Sequence, residues 1–187
     1  MQCLGPPKAK SERKARESQP PIHGRQRHNS RVKMARSKYQ ILVIPYFRCK
    51  TEYLFCVFQR SDNLSWQWIA GGGENSETPI EAARRESNEE AGISTKSSFL
   101  KLQTISSIPA CHFKASKSWG KSTFVIPEYS FAVKLKSTKI RTSSEHFKFK
   151  WLKYNNAMKA LQYDSNKTAL WELNCRLSKT NPWSNHL

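Results

Sequence analysis

Residues 71–93 read GGGENSETPIEAARRESNEEAGI, and helix-boundary signals lie near both ends of this stretch. Thr78, Pro79 and Glu81 predict the start of a helix, because threonine caps, proline suits the first helical position and glutamate completes a capping box. Gly92 suits the left-handed turn that commonly ends a helix. The sequence therefore predicts one helix between these two signals.

The predicted helix gathers carboxylates along one arc. Glu86 and Glu90 lie one turn apart, with Glu89 beside them. Arg85 is one turn from both Glu81 and Glu89 and can pair with either. Three clustered carboxylates repel one another, and a hard divalent cation such as magnesium relieves that repulsion. The alternative interpretation is a solvated acidic helix face, which is common in soluble proteins.

The other face of the helix is small and mostly apolar. Ile80, Ala83, Ser87 and Ala91 follow spacings of three and four residues, so they share this face and should pack against a sheet. Ser87 falls among them, and its hydroxyl needs a hydrogen-bond partner if it is buried.

The stretch resembles the Nudix box, G-x5-E-x7-R-E-U-x-E-E-x-G-U, in which U is a bulky apolar residue. The positions that match in register are Gly71, Glu77, Arg85, Glu86, Glu89, Glu90, Gly92 and Ile93. Ser87 does not match the pattern, because it occupies a position at which the family has an apolar residue. The resemblance implies a Nudix fold, an α/β fold in which a mixed β-sheet lies inside an α/β/α sandwich. Agreement over the full spacing favours this interpretation over a solvated acidic face.

Strand-like apolar or alternating runs surround the box. They cover residues 40–45, 53–59, 66–70, 100–108, 123–135 and 147–152. Pro127 lies in the fifth run and suggests an edge strand or a bulge. The order of three strands, a helix and three more strands agrees with the fold that the resemblance implies.

Two helices are predicted near the end of the chain. The first is short and is capped by Asn155 or Asn156, and the second is longer and is capped by Ser165 or Asn166. The apolar stripe of the second helix should belong to the core. Its members are Ala169, Leu170, Leu173 and Leu177.

Two further segments resemble bacterial dihydroneopterin triphosphate pyrophosphatases, whose relatives are often described as dATP pyrophosphohydrolases. Residues 145–151 (EHFKFKW) resemble an E-H-x3-K-W segment of that group. Its glutamate, here Glu145, is a third metal ligand in the group. The Gln59-Arg60 pair resembles the position of the group's substrate arginine.

The resemblance implies a hydrolase that cleaves the phosphoanhydride of a nucleoside triphosphate-like small molecule to a monophosphate and pyrophosphate. Its cofactor would be Mg²⁺, with Mn²⁺ as the alternative. The expected metal ligands, which are also catalytic candidates, are Glu86, Glu89, Glu90 and Glu145. The expected substrate contacts are Arg60, Ala70 and Gly71. Arg85 should orient a glutamate, and either Glu86 or Glu145 is the general base.

Charge and composition suggest a domain with a tail. The chain has 187 residues and a formal net charge of +18. Residues 1–33 are rich in Pro, Ser, Gln, Lys and Arg, which predicts a disordered basic tail before a Nudix hydrolase domain at residues 34–187. The tail is either solvated or binds nucleic acid without specificity.

Cysteine usage and hydropathy bear on location. The five cysteines show neither a C-x-x-C pair nor zinc-ligand spacing, and the chain lacks a secretion signal. Reduced thiols in a cytoplasmic protein are therefore expected. No apolar run approaches the length of a membrane span, so no membrane partner is expected.

Two other classes of protein remain as alternatives. One is a Nudix-fold binding protein without catalysis, although such proteins usually lose a box glutamate and this chain keeps all four. The other is a nucleic-acid-binding protein, suggested by the charge and by six tryptophans. His112 and His146 are candidate ligands or bases that more often pack or stay exposed. Three tryptophans could stack on a base or belong to the core: Trp66, Trp68 and Trp119.

Overall fold

The computed structural model describes residues 35–142 and 146–178. The strands are β1 (Arg36–Cys49), β2 (Glu52–Arg60), β3 (Trp66–Gln67), β4 (Ile69–Glu74), β5 (Phe99–Pro109), β6 (Val125–Lys134) and β7 (His146–Leu152). The helices are α1 (Pro79–Ala91), α2 (Tyr154–Ala160) and α3 (Asp164–Ser178), and two 3-10 turns cover Ala110–His112 and Lys114–Ser118. The predicted tail, residues 1–33, lies outside the described residues.

The seven strands form one mixed sheet organised around β1. This strand pairs parallel with β6 on one side, and antiparallel with β4 and then β2 on the other. Strand β5 pairs antiparallel with β6, while β3 and β7 both pair antiparallel with β2. The main strand order is β3-β2-β1-β6-β5. The mixed sheet predicted from the Nudix resemblance is confirmed.

Helices cover both faces of this sheet. Successive side chains of β1 alternate between two cores, as the pleat of a strand requires. Ile41 and Val43 pack in a core with the small residues of α1, whereas Leu42 and Ile44 pack with residues of α2 and α3. The predicted stripe of α3 belongs to the second core. The fold is therefore the expected α/β/α sandwich.

Helix α1 begins and ends as the sequence predicts. The backbone N–H of Thr78 donates to the Glu81 carboxylate at 2.8 Å, and Gly92 ends the helix with a left-handed φ of 65°. Ser87 is fully buried on the face that packs against the sheet. Its Oγ has no hydrogen-bond partner among the described residues, so the partner expected from the sequence is not found.

The strand predicted over residues 66–70 is wrong in its extent. The chain leaves the strand at Trp68 and re-enters it as β4, which continues through three glycines to Glu74. The break occurs because Trp68 hydrogen-bonds to α3 instead of a strand. Its backbone N–H donates to Asn166 Oδ1 and its Nε1 donates to the Asn166 carbonyl, both at 3.0 Å.

The predicted caps of the last two helices are also wrong. Lys153 is the N-cap of α2, and α3 begins at Asp164, ahead of both residues predicted to cap it. Asn166 is inside α3 and is engaged with Trp68, so its side chain serves tertiary packing. A long-range partner has replaced the local capping role that the sequence suggested.

Pro127 lies on an interior strand, so the prediction of an edge strand is wrong. The pairing of β6 with β1 begins only at Glu128, one residue beyond the proline. A register shift does lie nearby, but on β5, between Lys101 and Ile105. The Glu172 carboxylate accepts the backbone N–H of Thr104 within that bulge at 2.7 Å.

Within the described residues, no helix is both long enough and apolar enough to cross a membrane. The four cysteines in this part of the chain carry free thiols.

Candidate active site

A cleft of about 720 Å³ opens beside α1, between the sheet and the start of α3. Five of the residues predicted to act in the site line this cleft. They are Arg60, Ala70, Gly71, Glu86 and Glu90. Arg85 and Glu89 do not line it, and Glu145 lies outside the described residues.

The glycines of β4 shape the site because each leaves room for another side chain. A Cβ atom at Gly71 would collide with the carboxyl group of Glu86. A Cβ atom at Gly72 would collide with the Arg36 guanidinium, and one at Gly73 with the Tyr39 hydroxyl. The glycine run of the box therefore allows helix α1 and strand β1 to place charged groups directly against the β4 backbone.

Arg85 fixes the acidic groups of the box. Its Nε donates to Glu77 Oε1 at 2.9 Å, and its Nη2 donates to Glu77 Oε2 at 3.0 Å. Its Nη1 lies 3.0 Å from Glu86 and 3.1 Å from Glu89, while Nη2 also donates to the Gly72 carbonyl at 2.8 Å. One guanidinium thus ties three carboxylates to β4, and the hydrogen bond from Arg85 lowers the pKa of Glu77.

Two carboxylates on the cleft wall are placed to hold a cation. Glu86 and Glu90 stand one turn apart on α1; the Glu86 side chain is 14% exposed and Glu90 is buried. Glu89 points toward Arg85 and its side chain is 56% exposed. Among residues 35–142 and 146–178, no three His, Cys, Asp or Glu side chains form a group that could hold a metal ion.

This donor set nevertheless fits Mg²⁺. Magnesium is usually held by one or two carboxylates, and water and substrate phosphates complete its shell. Two hard oxygen donors beside an open cleft meet that requirement. Mn²⁺ accepts the same carboxylate, carbonyl and water ligands, so the site fits either ion.

Arg60 lies on the cleft wall already paired with an acid. Its Nε and Nη2 donate to the two oxygens of Asp62 at 2.7 and 2.6 Å. Its side chain is 31% exposed. The arginine predicted to contact substrate is therefore at the cleft, and Asp62 orients its guanidinium.

Arg36 is a cleft residue that sequence reasoning missed. Its guanidinium lies against Gly72, donates from Nη2 to Gln40 Oε1 and sits 4.8 Å from the centre of the Phe113 ring. Burial lowers the pKa of Arg36, and the nearby negative charge of Glu86 raises it. In the sequence this arginine is hidden in the basic run that continues from the tail. Gly72, whose missing side chain leaves room for this guanidinium, was the available signal.

Glu128 is a second residue that the sequence did not reveal. It lies on β6 in the cleft lining, although only 4% of its surface is exposed. Burial raises the pKa of Glu128, and a hydrogen bond from Ser165 opposes this effect. A single glutamate in a strand carries no motif, so only the fold could place it here.

The structure places His112 and the three candidate tryptophans, whereas the side chain of His146 lies outside what it describes. His112 is an exposed residue in the cleft lining. Trp68 and Trp119 are buried in the core and Trp66 stacks under Lys150, so none of the three lines the cleft. Burial of Trp68 and Trp119 favours the core alternative for these two. The exposed aromatic ring of the cleft belongs to Tyr163.

Comparison with known proteins identifies the family. A family model for the NUDIX domain matches residues 38–171. A Listeria monocytogenes protein named as a candidate NUDIX hydrolase is 41% identical, and the match covers 76% of this chain and 96% of that one with a TM-score of 0.70. The chain therefore belongs to the NUDIX family and is an enzyme of the Nudix pyrophosphohydrolase type.

More distant solved structures share the same architecture. The E. coli dihydroneopterin triphosphate pyrophosphohydrolase is 25% identical, with 76% of this chain and 99% of that chain covered and a TM-score of 0.62. A C. elegans Ap4A hydrolase complex is 18% identical over 76% of this chain and 99% of that one, with a TM-score of 0.58, and this similarity concerns the fold alone. No curated protein matched the chain.

Proposed function

We propose that this enzyme uses Mg²⁺ to cleave the phosphoanhydride of a nucleoside triphosphate-like substrate, either dihydroneopterin triphosphate or dATP and related deoxynucleotides. The products are a monophosphate and pyrophosphate. One observation carries the proposal: a single cleft contains both the box carboxylates, Glu86 and Glu90, and two guanidinium groups, Arg36 and Arg60. The carboxylates that would bind a metal ion and the guanidinium groups that would bind phosphate therefore face the same cleft.

The substrate class is supported by the cleft and by one relative. A volume of about 720 Å³ falls within the range of small-molecule sites. The 25% identical E. coli protein is a dihydroneopterin triphosphate pyrophosphohydrolase, and the segments around Arg60 and Glu145 resemble that group. dATP stays in the proposal because related sequences carry that description.

Each residue has an assigned role. Glu86 and Glu90 would hold the metal, with Glu145 and Glu89 as further predicted ligands, and Arg85 positions Glu86 and Glu89. A divalent cation held there would supply charge neutralisation at the phosphate oxygens and the attacked phosphorus.

The chain's own groups bind the phosphates and move the proton. Arg60 and Arg36 attract the phosphate chain, and the backbone of Ala70 and Gly71 lines its path. Either Glu86 or Glu145 takes the proton from the attacking water. The water oxygen forms a bond to phosphorus, the anhydride bond breaks and pyrophosphate leaves.

The test is a substrate panel with product identification. Dihydroneopterin triphosphate, dATP, the other deoxynucleoside triphosphates and a dinucleoside polyphosphate are each incubated with the full chain and Mg²⁺, and the products are separated. The proposal expects monophosphate and pyrophosphate from dihydroneopterin triphosphate or a deoxynucleotide. Turnover of the dinucleoside polyphosphate alone, or of none of the compounds, would contradict it.

The basic charge keeps nucleic-acid binding as a second candidate. It predicts salt-dependent binding of RNA by a variant that lacks residues 1–33. Binding that disappears with these residues would confine the property to the tail.

The cytoplasmic location expected from the cysteines also stays a prediction.

A further inference from the structure

Glu128 on β6 lies in register with Gly72, a box glycine on β4. Gln40 on β1 is paired with Gly72 on β4 and, on its other side, with Glu128 on β6. Two interstrand spacings place the Glu128 Cα about 10 Å from that of Gly72. This distance is comparable to the span from the first phosphate of a nucleotide to the far edge of its base. A ligand with its phosphates beside the box would therefore bring its base toward Glu128.

Three polar side chains near Glu128 already make hydrogen bonds within the protein. Gln40 accepts from Arg36, and Asn166 accepts the Trp68 backbone N–H. Ser165 hydrogen-bonds to the Glu128 carboxyl group. The buried Oε1 of Glu128, in contrast, has no hydrogen-bond partner among the described residues. A buried polar atom without a partner is costly, and such an atom at the edge of a cleft is accounted for if a ligand completes its hydrogen bonding.

The chemistry of this carboxyl group suits a flat nitrogen heterocycle. Burial raises the pKa of Glu128 more than the Ser165 hydrogen bond lowers it, which favours the neutral acid. A neutral carboxylic acid presents an O–H donor beside a C=O acceptor. The edges of purines and pterins carry a ring-nitrogen acceptor next to an amino donor, which is the complementary pair. Tyr163, 43% exposed on the cleft wall, offers a ring face for stacking.

We propose that Glu128 is a specificity-determining residue that hydrogen-bonds to the edge of the substrate's heterocyclic base, while the phosphates lie at Glu86 and Glu90. This inference rests on the proposed function and adds the group that recognises the base. Ser165 is the positioning residue that holds the carboxyl group in place.

The test compares substrates with and without a base. We would measure kcat/KM of the unaltered enzyme and of Glu128→Leu for dihydroneopterin triphosphate, for dATP and for 2-deoxyribose 5-triphosphate, which has no base. The leucine variant should lose roughly tenfold or more on the preferred base-bearing substrate, because one buried hydrogen-bonding group is removed. Its loss on the baseless triphosphate should be much smaller. Ser165→Ala, at the partly exposed start of α3, should show a weaker loss with the same selectivity.

Glu128→Gln is the conservative control, because an amide keeps one acceptor and one donor in nearly the same shape. It should retain most of the activity toward the base-bearing substrate. If Glu128→Leu and Ser165→Ala lower kcat/KM equally for substrates with and without a base, or lower neither, the inference is wrong. If the leucine variant does not fold, the same comparison for Ser165→Ala decides. If the unaltered enzyme cleaves neither base-bearing compound, the proposed function fails and this inference falls with it.

Discussion

Arg85 and Glu77, eight residues apart, form a two-point ion pair in which Nε and Nη2 reach the two carboxylate oxygens at 2.9 and 3.0 Å. Glu77 precedes α1 and Arg85 lies within it, so the pair ties the start of the helix to its middle. The same carboxylate accepts the backbone N–H of Glu74 at 2.9 Å. Glu77 and Arg85 are thus partly structural, because together they hold strand β4 against helix α1.

This ion pair predicts a pH dependence of stability. The pKa of Glu77 is lowered below its ordinary value of 4.5 in the folded protein by the hydrogen bond from Arg85. Its stabilising contribution is therefore fully present above pH 4.5 and is lost as the pH falls through the lower, folded-state pKa. Glu77→Gln should reduce the free energy of unfolding at pH 7 and should make it fall less steeply between pH 5 and pH 3.

Chemical denaturation at a series of pH values measures this effect. Glu52→Gln serves as the control, because Glu52 forms an exposed pair with Lys153. An acid profile of Glu77→Gln that parallels the unaltered protein would show that the ion pair contributes nothing.

Gly71→Ala should reduce turnover while leaving stability nearly unchanged. The added methyl group meets the flexible end of the Glu86 side chain, which can move away at little cost. A displaced carboxylate no longer presents its oxygens correctly, and a misplacement of this size costs on the order of 100-fold in rate. Steady-state kinetics and thermal melting measure the two effects.

Gly73→Ala is the matched control on the same strand. Its methyl group would displace the rigid Tyr39 ring, whose hydroxyl donates to the Glu77 carbonyl at 2.7 Å. This variant should lose more stability than Gly71→Ala and less turnover per folded molecule. The reverse pattern would mean that Gly71 does not position Glu86.

Ser87→Val tests the one departure from the box pattern. Ser87 is fully buried on a face with Ala83 and Ala91, where the family has a bulky residue. We expect the surrounding core to have filled the space already, so that valine overpacks it and costs about 1 kcal/mol or more. Ser87→Ala separates the loss of the hydroxyl from the gain in volume and should be nearly neutral. A clear rise in melting temperature for Ser87→Val would contradict the idea of a compensated core.

The sequence predicted the box helix well because its signals are local. Thr78, Glu81 and Gly92 form the ends of the helix through contacts with groups within one turn. The spacing of Glu86 and Glu90 fixes their relative position on any helix. What it missed depends on contacts between distant segments. The sequence predicts Asn166 as a possible helix cap, but its side chain accepts a hydrogen bond from the backbone of Trp68, 98 residues away.

Contacts between distant segments also explain why the sequence predicted only part of the site. Arg36 enters the cleft because β1 begins four residues before the predicted apolar run and the Arg36 guanidinium fills the space beside Gly72. Glu128 enters it because β6 pairs parallel with β1. Strand pairing of this kind joins residues across most of the domain, and periodicity alone cannot specify it. The box was therefore predictable, and the groups facing it across the sheet were not.

We propose metal-dependent hydrolysis at the buried end of the acidic helix. It is tested most directly by turnover of the Glu90→Gln variant with Mg²⁺, after circular dichroism has confirmed its fold. Glutamine keeps the size of Glu90 and removes the charge that would hold the cation. Glu81→Gln is the control on the same helix, because glutamine also completes a capping box and Glu81 does not line the cleft. We predict that Glu90→Gln loses nearly all hydrolysis while Glu81→Gln keeps it; undiminished Mg²⁺-dependent turnover by folded Glu90→Gln would contradict the assignment.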